Sequence, residues 1–260
     1  MKESAVCVIK AFMDNIRFEG VNERVAKQAA AFVEELLRDR GAQIQSIHIV
    51  GSCLTVDFDE KRSDINSVVV LNAMDFAFVK FLAGIGNKHK KKGVAAPLIM
   101  TPEYISSSLD VFPVEFLELR FIHKTVYGPD VFKDLEIDRG CLRLQCEREM
   151  KTKLIMLRQG YISALGDRTL IENLITGSVT GCVPVFRAIL HLLNAPAPKA
   201  RLSVVAALRN LTGIESKAFE QALMLKGGRM KPSGVELNVL LEEYYSAVEK
   251  TGNAIDELHP

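Results

Sequence analysis

Apolar residues recur at spacings of three and four over two N-terminal stretches. Val6, Ile9, Phe12, Met13 and Ile16 predict an amphipathic helix over residues 4–17, and Val25, Ala29, Phe32, Val33 and Leu36 predict a second from about Asn22 to Arg40, stopped at Gly41. The period then changes. Gln43 to Val50 reads as a strand, and Asn66 to Leu71 as another. Met74, Phe76, Phe78, Phe81, Leu82 and Ile85 predict a helix over 73–85, and Val94 to Met100 is a third apolar segment. Thr101-Pro102-Glu103 reads as a helix start, with threonine as the cap and proline at the first helical position. Val111 to Leu119 follows, then Thr125-Val126-Tyr127-Gly128.

From Leu142 onward the pattern is helical throughout. Cys146, Met150, Leu154, Leu157, Tyr161 and Ala164 form one apolar seam. The run Leu170 to Leu193 carries Glu172, Arg187 and His191 and is interrupted by Gly177, Gly181 and Pro184, which predicts a buried helix pair or one kinked helix rather than a membrane span. Asn194 to Pro198 is a connector. Residues 202–211 and 216–225 predict two shorter helices, and Val235 to Leu258 a long closing one. Four or five such antiparallel helices make a bundle with its own core. The polar stretch holding Pro129, Asp130, Asp134 and Asp138 places a boundary between 128 and 140, giving domains 1–130 and 131–260.

Composition narrows the picture modestly. With 260 residues, 48% hydrophobic and 25% charged, the chain is an ordinary globular composition, and a net charge of +1 indicates neither nucleic acid nor a membrane surface as partner. Five cysteines (Cys7, Cys53, Cys141, Cys146, Cys182) without a CxxC pair argue against a disulfide framework and a zinc site, so the expected compartment is the reducing cytoplasm; no signal peptide is apparent after Met1-Lys2-Glu3-Ser4. The run Lys88-His89-Lys90-Lys91-Lys92 has no interleaved aromatics and reads as a solvated turn rather than a grip on phosphate or RNA. Arg143, Arg148, Lys151, Lys153 and Arg158 read as a solvent face, with a nucleotide cleft as the functional alternative. The five histidines show no ligand spacing, and His48 and His191, each in an apolar run, read as packing residues. No GxSxG, Walker A or GxGxxG pattern occurs.

One stretch carries chemistry. The strand Ile47-His48-Ile49-Val50 ends in Gly51-Ser52, and twelve residues after the serine Asp64-Ile65-Asn66 opens the next apolar run. Side chains two apart on a strand share a face, so Asp64 and Asn66 point the same way. This arrangement resembles the signature of the nucleotidyltransferase superfamily, the DNA polymerase beta-like proteins, and such a domain followed by a helical bundle resembles the architecture of the kanamycin nucleotidyltransferase-like and aminoglycoside adenylyltransferase enzymes. The resemblance implies an α+β fold, a mixed sheet with flanking helices followed by an all-α bundle. It implies that Gly51 and Ser52 receive the phosphates of a nucleoside triphosphate, and that the positions of Asp64 and Asn66, with a third acid from a later strand, hold Mg2+. Asn66 stands where the family has its second acid, and Cys53-Leu54-Thr55-Val56 stands where many members carry an arginine.

The third acid has two possible addresses. Val94 to Met100 contains none; if Pro113 to Leu119 is the strand instead, Glu115 or Glu118 supplies it, whereas on a helix the two glutamates form a solvated pair. A plainer alternative makes Gly51-Ser52 the two-residue turn of a hairpin whose second strand is Leu54, Val56 and Phe58. The expected function is therefore a nucleotidyltransferase-like protein, nucleotide-binding, with weak or absent transferase activity. The alternatives are an active magnesium-dependent adenylyltransferase acting on a hydroxyl of a small molecule or protein, and a non-catalytic interaction or scaffold protein. The sequence assigns no acceptor and no oligomeric state.

Overall fold

The structure, a computed structural model, describes residues 13–258. Of the helix expected over 4–17, residues 4–12 lie outside that range, and 14–17 are turn and irregular backbone, not helix. The described residues divide into two compact units, one of 13–109 with 119–136 and one of 110–118 with 137–258.

The first unit is built on a four-stranded sheet. Its strands are β1 (Ile44–Val50), β2 (Asn66–Leu71), β3 (Leu98–Met100) and β4 (His123–Tyr127), in the order β3-β2-β1-β4. The two pairings made by β1 are antiparallel and that of β2 with β3 is parallel, so the sheet is mixed. Helix α1 (Glu23–Arg40) starts where the Asn22 side chain accepts from the Arg24 and Val25 N–H groups, and α2 (Phe76–Lys90) starts at Asp75, which accepts from Ala77 N–H. Ala29, Phe32, Val33 and Leu36 of α1 and Phe78 and Leu82 of α2 pack with Ile47, Ile49, Val69 and Leu71 in one core. Alternation therefore turns Ser46, His48 and Val50 to the opposite face of the sheet. A short helix, α3 (Pro102–Ser108), is capped by Thr101 as its sequence implies.

Helix α2 runs on past the expected residue 85 and takes in Lys88 and His89. His89 is not in a solvated turn: it is buried, with Nε2 2.5 Å from a Glu35 carboxylate oxygen that Lys88 also reaches at 2.8 Å. Strand β4 was not expected, because only Val126 of its five residues is buried and no apolar alternation marks it.

The segment 113–119 is helix, α4 (Pro113–Phe121), and not the strand that one reading required. Its residues 113–118 belong to the second unit. That unit is otherwise helices α5 (Arg139–Ala164), α6 (Arg168–Leu192), α7 (Arg201–Thr212), α8 (Lys217–Lys226) and α9 (Gly234–Asp256). Helix α6 is the hub and packs against all four others. It is continuous through Pro184, neither a helix pair nor broken there. By length and composition α6 is apolar enough to cross a membrane, but Ile171, Ile175, Val179, Cys182, Phe186 and Leu190 are spent on the bundle core. Small residues sit at its close approaches: a Cβ on Gly160 of α5 would lie 2.5 Å from the Leu174 side chain, and Ser178 accepts from the buried Tyr244 hydroxyl at 3.0 Å.

Candidate functional site

Strand β1 ends at Val50 in extended backbone, and Gly51 then takes φ +81°, a left-handed conformation that costs glycine nothing. Gly51–Leu54 forms a single 3-10 turn, closed by Thr55, whose backbone N–H and hydroxyl both donate to the Ser52 carbonyl at 2.9 and 3.0 Å. The hairpin alternative fails here. The antiparallel partner of β1 is β2, reached through an excursion over 55–65, and Val50 lies opposite Asn66. A Cβ on Gly51 would sit 3.8 Å from Asn66 Nδ2, so the turn and the amide are neighbours. Asp64 and Asn66 are exposed at the mouth of β2, while Ile65 between them is buried and bridges to Val94. Strand alternation thus gives one carboxylate and one amide on the solvent side of the strand start, beside Gly51.

The strand next to β2 supplies no acid. It is β3, with Val68, Val69 and Val70 opposite Leu98, Ile99 and Met100, and residues 94–100 are Val, Ala, Ala, Pro, Leu, Ile and Met. The two glutamates proposed from 113–119 are on a helix and are engaged within the second unit. Glu115 accepts from Gln145 Nε2 at 2.7 Å, and the same Gln145 caps Val114 N–H through its Oε1 at 2.9 Å. Glu118 is no solvated residue: its Oε1 lies 2.5 Å from Nη1 of Arg187, itself 4% exposed, and burial pushes the Glu118 carboxyl above its ordinary value although Arg187 pulls it down. Arg187 also donates to the Pro198 and Lys199 carbonyls, so the pair ties α4 to the connector after α6. Four of the five basic residues of that α5 face are engaged, three along the helix and one with α9. Arg143 and Lys151 pair with Glu147, Lys153 with Glu149, and Arg158 with the Tyr245 hydroxyl.

Two magnesium ions bridging a triphosphate need carboxylates that carry their charge. At these positions Asp64 is a carboxylate and Asn66 an amide, and β3 offers no acid.

The topology also gathers three residues that sequence spacing left apart. His48 of β1, His123 of β4 and Asp130 just beyond β4 bring one ligand atom each within 4.8 Å of one another. His48 lies opposite Thr125 and His123 opposite Val50, so the two rings share the face turned away from the α1–α2 core, with centroids 5.9 Å apart. His48 bonds the Ser46 hydroxyl at 2.8 Å and the Thr125 hydroxyl at 2.9 Å; burial, helped by the neighbouring His123, pushes its pKa down to about 4. His123 Nε2 lies 2.9 Å from Asp130 Oδ1. Burial alone raises the Asp130 carboxyl, but His123 and the N–H groups of Phe132 and Lys133 outweigh it and hold that carboxyl low. The only sequence signal for this cluster was a histidine inside an apolar run. The four described cysteines are free, and burial drives Cys53 and Cys182 up to about 11 and Cys146 to about 12.

A mixed sheet with a Gly-Ser turn set against the start of the neighbouring strand, followed by a helical unit, is the nucleotidyltransferase fold. The solved structure of spectinomycin adenyltransferase AAD(9) from Enterococcus faecialis, which holds ATP and spectinomycin, is similar to this chain with a TM-score of 0.53 and 11% identity, over 86% of this chain and 99% of that one. No protein-family model matches the chain, and no curated protein sequence does.

Proposed function

We propose that this chain is a nucleotide-binding protein of the nucleotidyltransferase fold whose transferase activity is absent or very slow. One observation carries the reading: at the open end of β2, beside Gly51 and Ser52, Asp64 and Asn66 present a single negative charge where the chemistry calls for two. The ATP in the similar adenyltransferase structure supports a nucleoside triphosphate as the ligand. Gly51 and Ser52 are the residues proposed to meet its phosphates, and Asp64 with Asn66 the place where magnesium accompanies it weakly. The engagement of Glu115 by Gln145 and of Glu118 by Arg187 weighs against the active-enzyme alternative, in which one of them completes the metal site.

The test is binding and turnover measured side by side. Magnesium with nucleoside triphosphate should raise the melting temperature, since a ligand bound only by the native state stabilises it, while transfer of AMP to hydroxyl acceptors stays at background. No thermal shift at saturating ATP would favour the scaffold alternative.

A further inference from the structure

We infer that His48, His123 and Asp130 form a binding site for one divalent ion of the zinc class, held between β1, β4 and the turn after β4. The donors are close already. In a tetrahedral zinc site with bonds of about 2.0 to 2.1 Å the ligand atoms lie roughly 3.4 Å apart, and here they fall within 4.8 Å, with His123 Nε2 and Asp130 Oδ1 at 2.9 Å. Side-chain adjustment of about an ångström would seat an ion, with no change in the strands. The strands themselves set the spacing, because the register that puts Thr125 opposite His48 and His123 opposite Val50 fixes both rings on one face. Phe132 packs against both, with centroids 4.7 and 5.6 Å away, and limits their rotation.

The surrounding hydrogen bonds have the form that metal-binding histidines use. His123 Nδ1 is 2.7 Å from the Leu119 carbonyl, which keeps a hydrogen on Nδ1 and aims Nε2 at Asp130 Oδ1, so an ion seated here replaces the hydrogen that bridges those two atoms. Ser46 and Thr125 hydroxyls flank the two nitrogens of His48. A hydroxyl donates or accepts, so one can keep His48 oriented while the other yields its nitrogen. The N–H groups of Phe132 and Lys133 orient the Asp130 carboxylate. An open cavity of about 500 Å3, lined in part by Lys124, Thr125, Tyr127 and Asp130, reaches one of the three donors. Two imidazoles and one carboxylate favour zinc and its neighbours over magnesium, which takes oxygen ligands. The ion chemistry of this cluster therefore differs from that of Asp64 and Asn66.

The experiment uses the full chain stripped with chelator and titrated with zinc against a chromophoric competitor. One zinc per chain is expected, undisturbed by excess magnesium, and cobalt in its place should show tetrahedral d–d absorption without a thiolate charge-transfer band. His123→Gln and Asp130→Asn should each weaken zinc at least about tenfold, and zinc should raise the melting temperature of the native chain but not of Asp130→Asn. Asp130 is exposed, so its variant should fold even if a histidine variant does not. Failure of the native chain to bind zinc stoichiometrically, equal affinity in Asp130→Asn, or a cobalt–thiolate band would overturn the site and leave a hydrogen-bonded His–Asp cluster.

Discussion

Val50 has a polar neighbour on either side, Asn66 across the β1–β2 pair and His123 across the β1–β4 pair, and the two sides differ in almost every respect. On the β2 side the polar groups are exposed, short of charge and adjacent to a turn that only glycine makes easily. On the β4 side His48 is buried, His123 half-buried and Asp130 exposed, with both rings bonded at both nitrogens and packed against Phe132. One strand thus borders both the proposed nucleotide site and the proposed ion site. Exposure makes substitutions at Asp64 and Asn66 cheap for folding, whereas burial makes the hydrogen bonds of His48 a matter of stability.

The glycines on the two sides give the sharpest contrast. Gly128, just after β4, has φ +74°, and a Cβ there would lie 2.1 Å from the Gln45 carbonyl oxygen. Gly128→Ala should cost about 4 kcal/mol or more, because β1 itself would have to move; chemical denaturation measures it, and a loss under about 1 kcal/mol would contradict the close approach. In the helical unit, Arg187→Ala would strand the buried Glu118 carboxyl, at a cost of about 3 kcal/mol. Glu118→Gln should be milder. Neither should alter divalent-ion binding at Asp64, and a change there would return Glu118 to the list of metal ligands.

A pH series separates the two sides next. His48 is held near 4, against 6.5 for an ordinary histidine, so between those values the unfolded chain binds a proton that the folded chain refuses. Stability is therefore full above about 6.5 and falls as the pH drops towards 4, by on the order of 3 kcal/mol in chelator-treated protein. His48→Gln should flatten that part of the profile. An unchanged slope in the variant would show that another group titrates there. Smallest is Gly51→Ala, which meets nothing closer than Asn66 Nδ2 at 3.8 Å and should cost only about 1 kcal/mol, the strain of a positive φ.

Much of the framework was legible because local chemistry and global fold agree there. The seam of α1, the strand Asn66–Leu71 and the threonine cap of α3 follow from period and capping alone. Misreadings came where long-range contacts decide. Pro113 to Leu119 is apolar enough for a strand, yet Gln145 receives its Val114 N–H and its Glu115 carboxylate, and the segment coils. His89 sits in a basic run that looks solvated, but Glu35 lies more than fifty residues away in the chain and supplies its partner. The pair Asp64 and Asn66 was visible because strand alternation is local; His48, His123 and Asp130 were not, because only the β1–β4 register joins them.

On the proposed reading, the neutral amide of Asn66 limits this chain to nucleotide binding. Its most direct test is AMP transfer from ATP with magnesium, assayed on the unmodified chain, Asn66→Asp and Asp64→Ala across a panel of hydroxyl acceptors. Background turnover is expected of the unmodified chain and of Asp64→Ala, with tighter magnesium binding in Asn66→Asp. Robust magnesium-dependent transfer by the unmodified chain, abolished by Asp64→Ala, would contradict it.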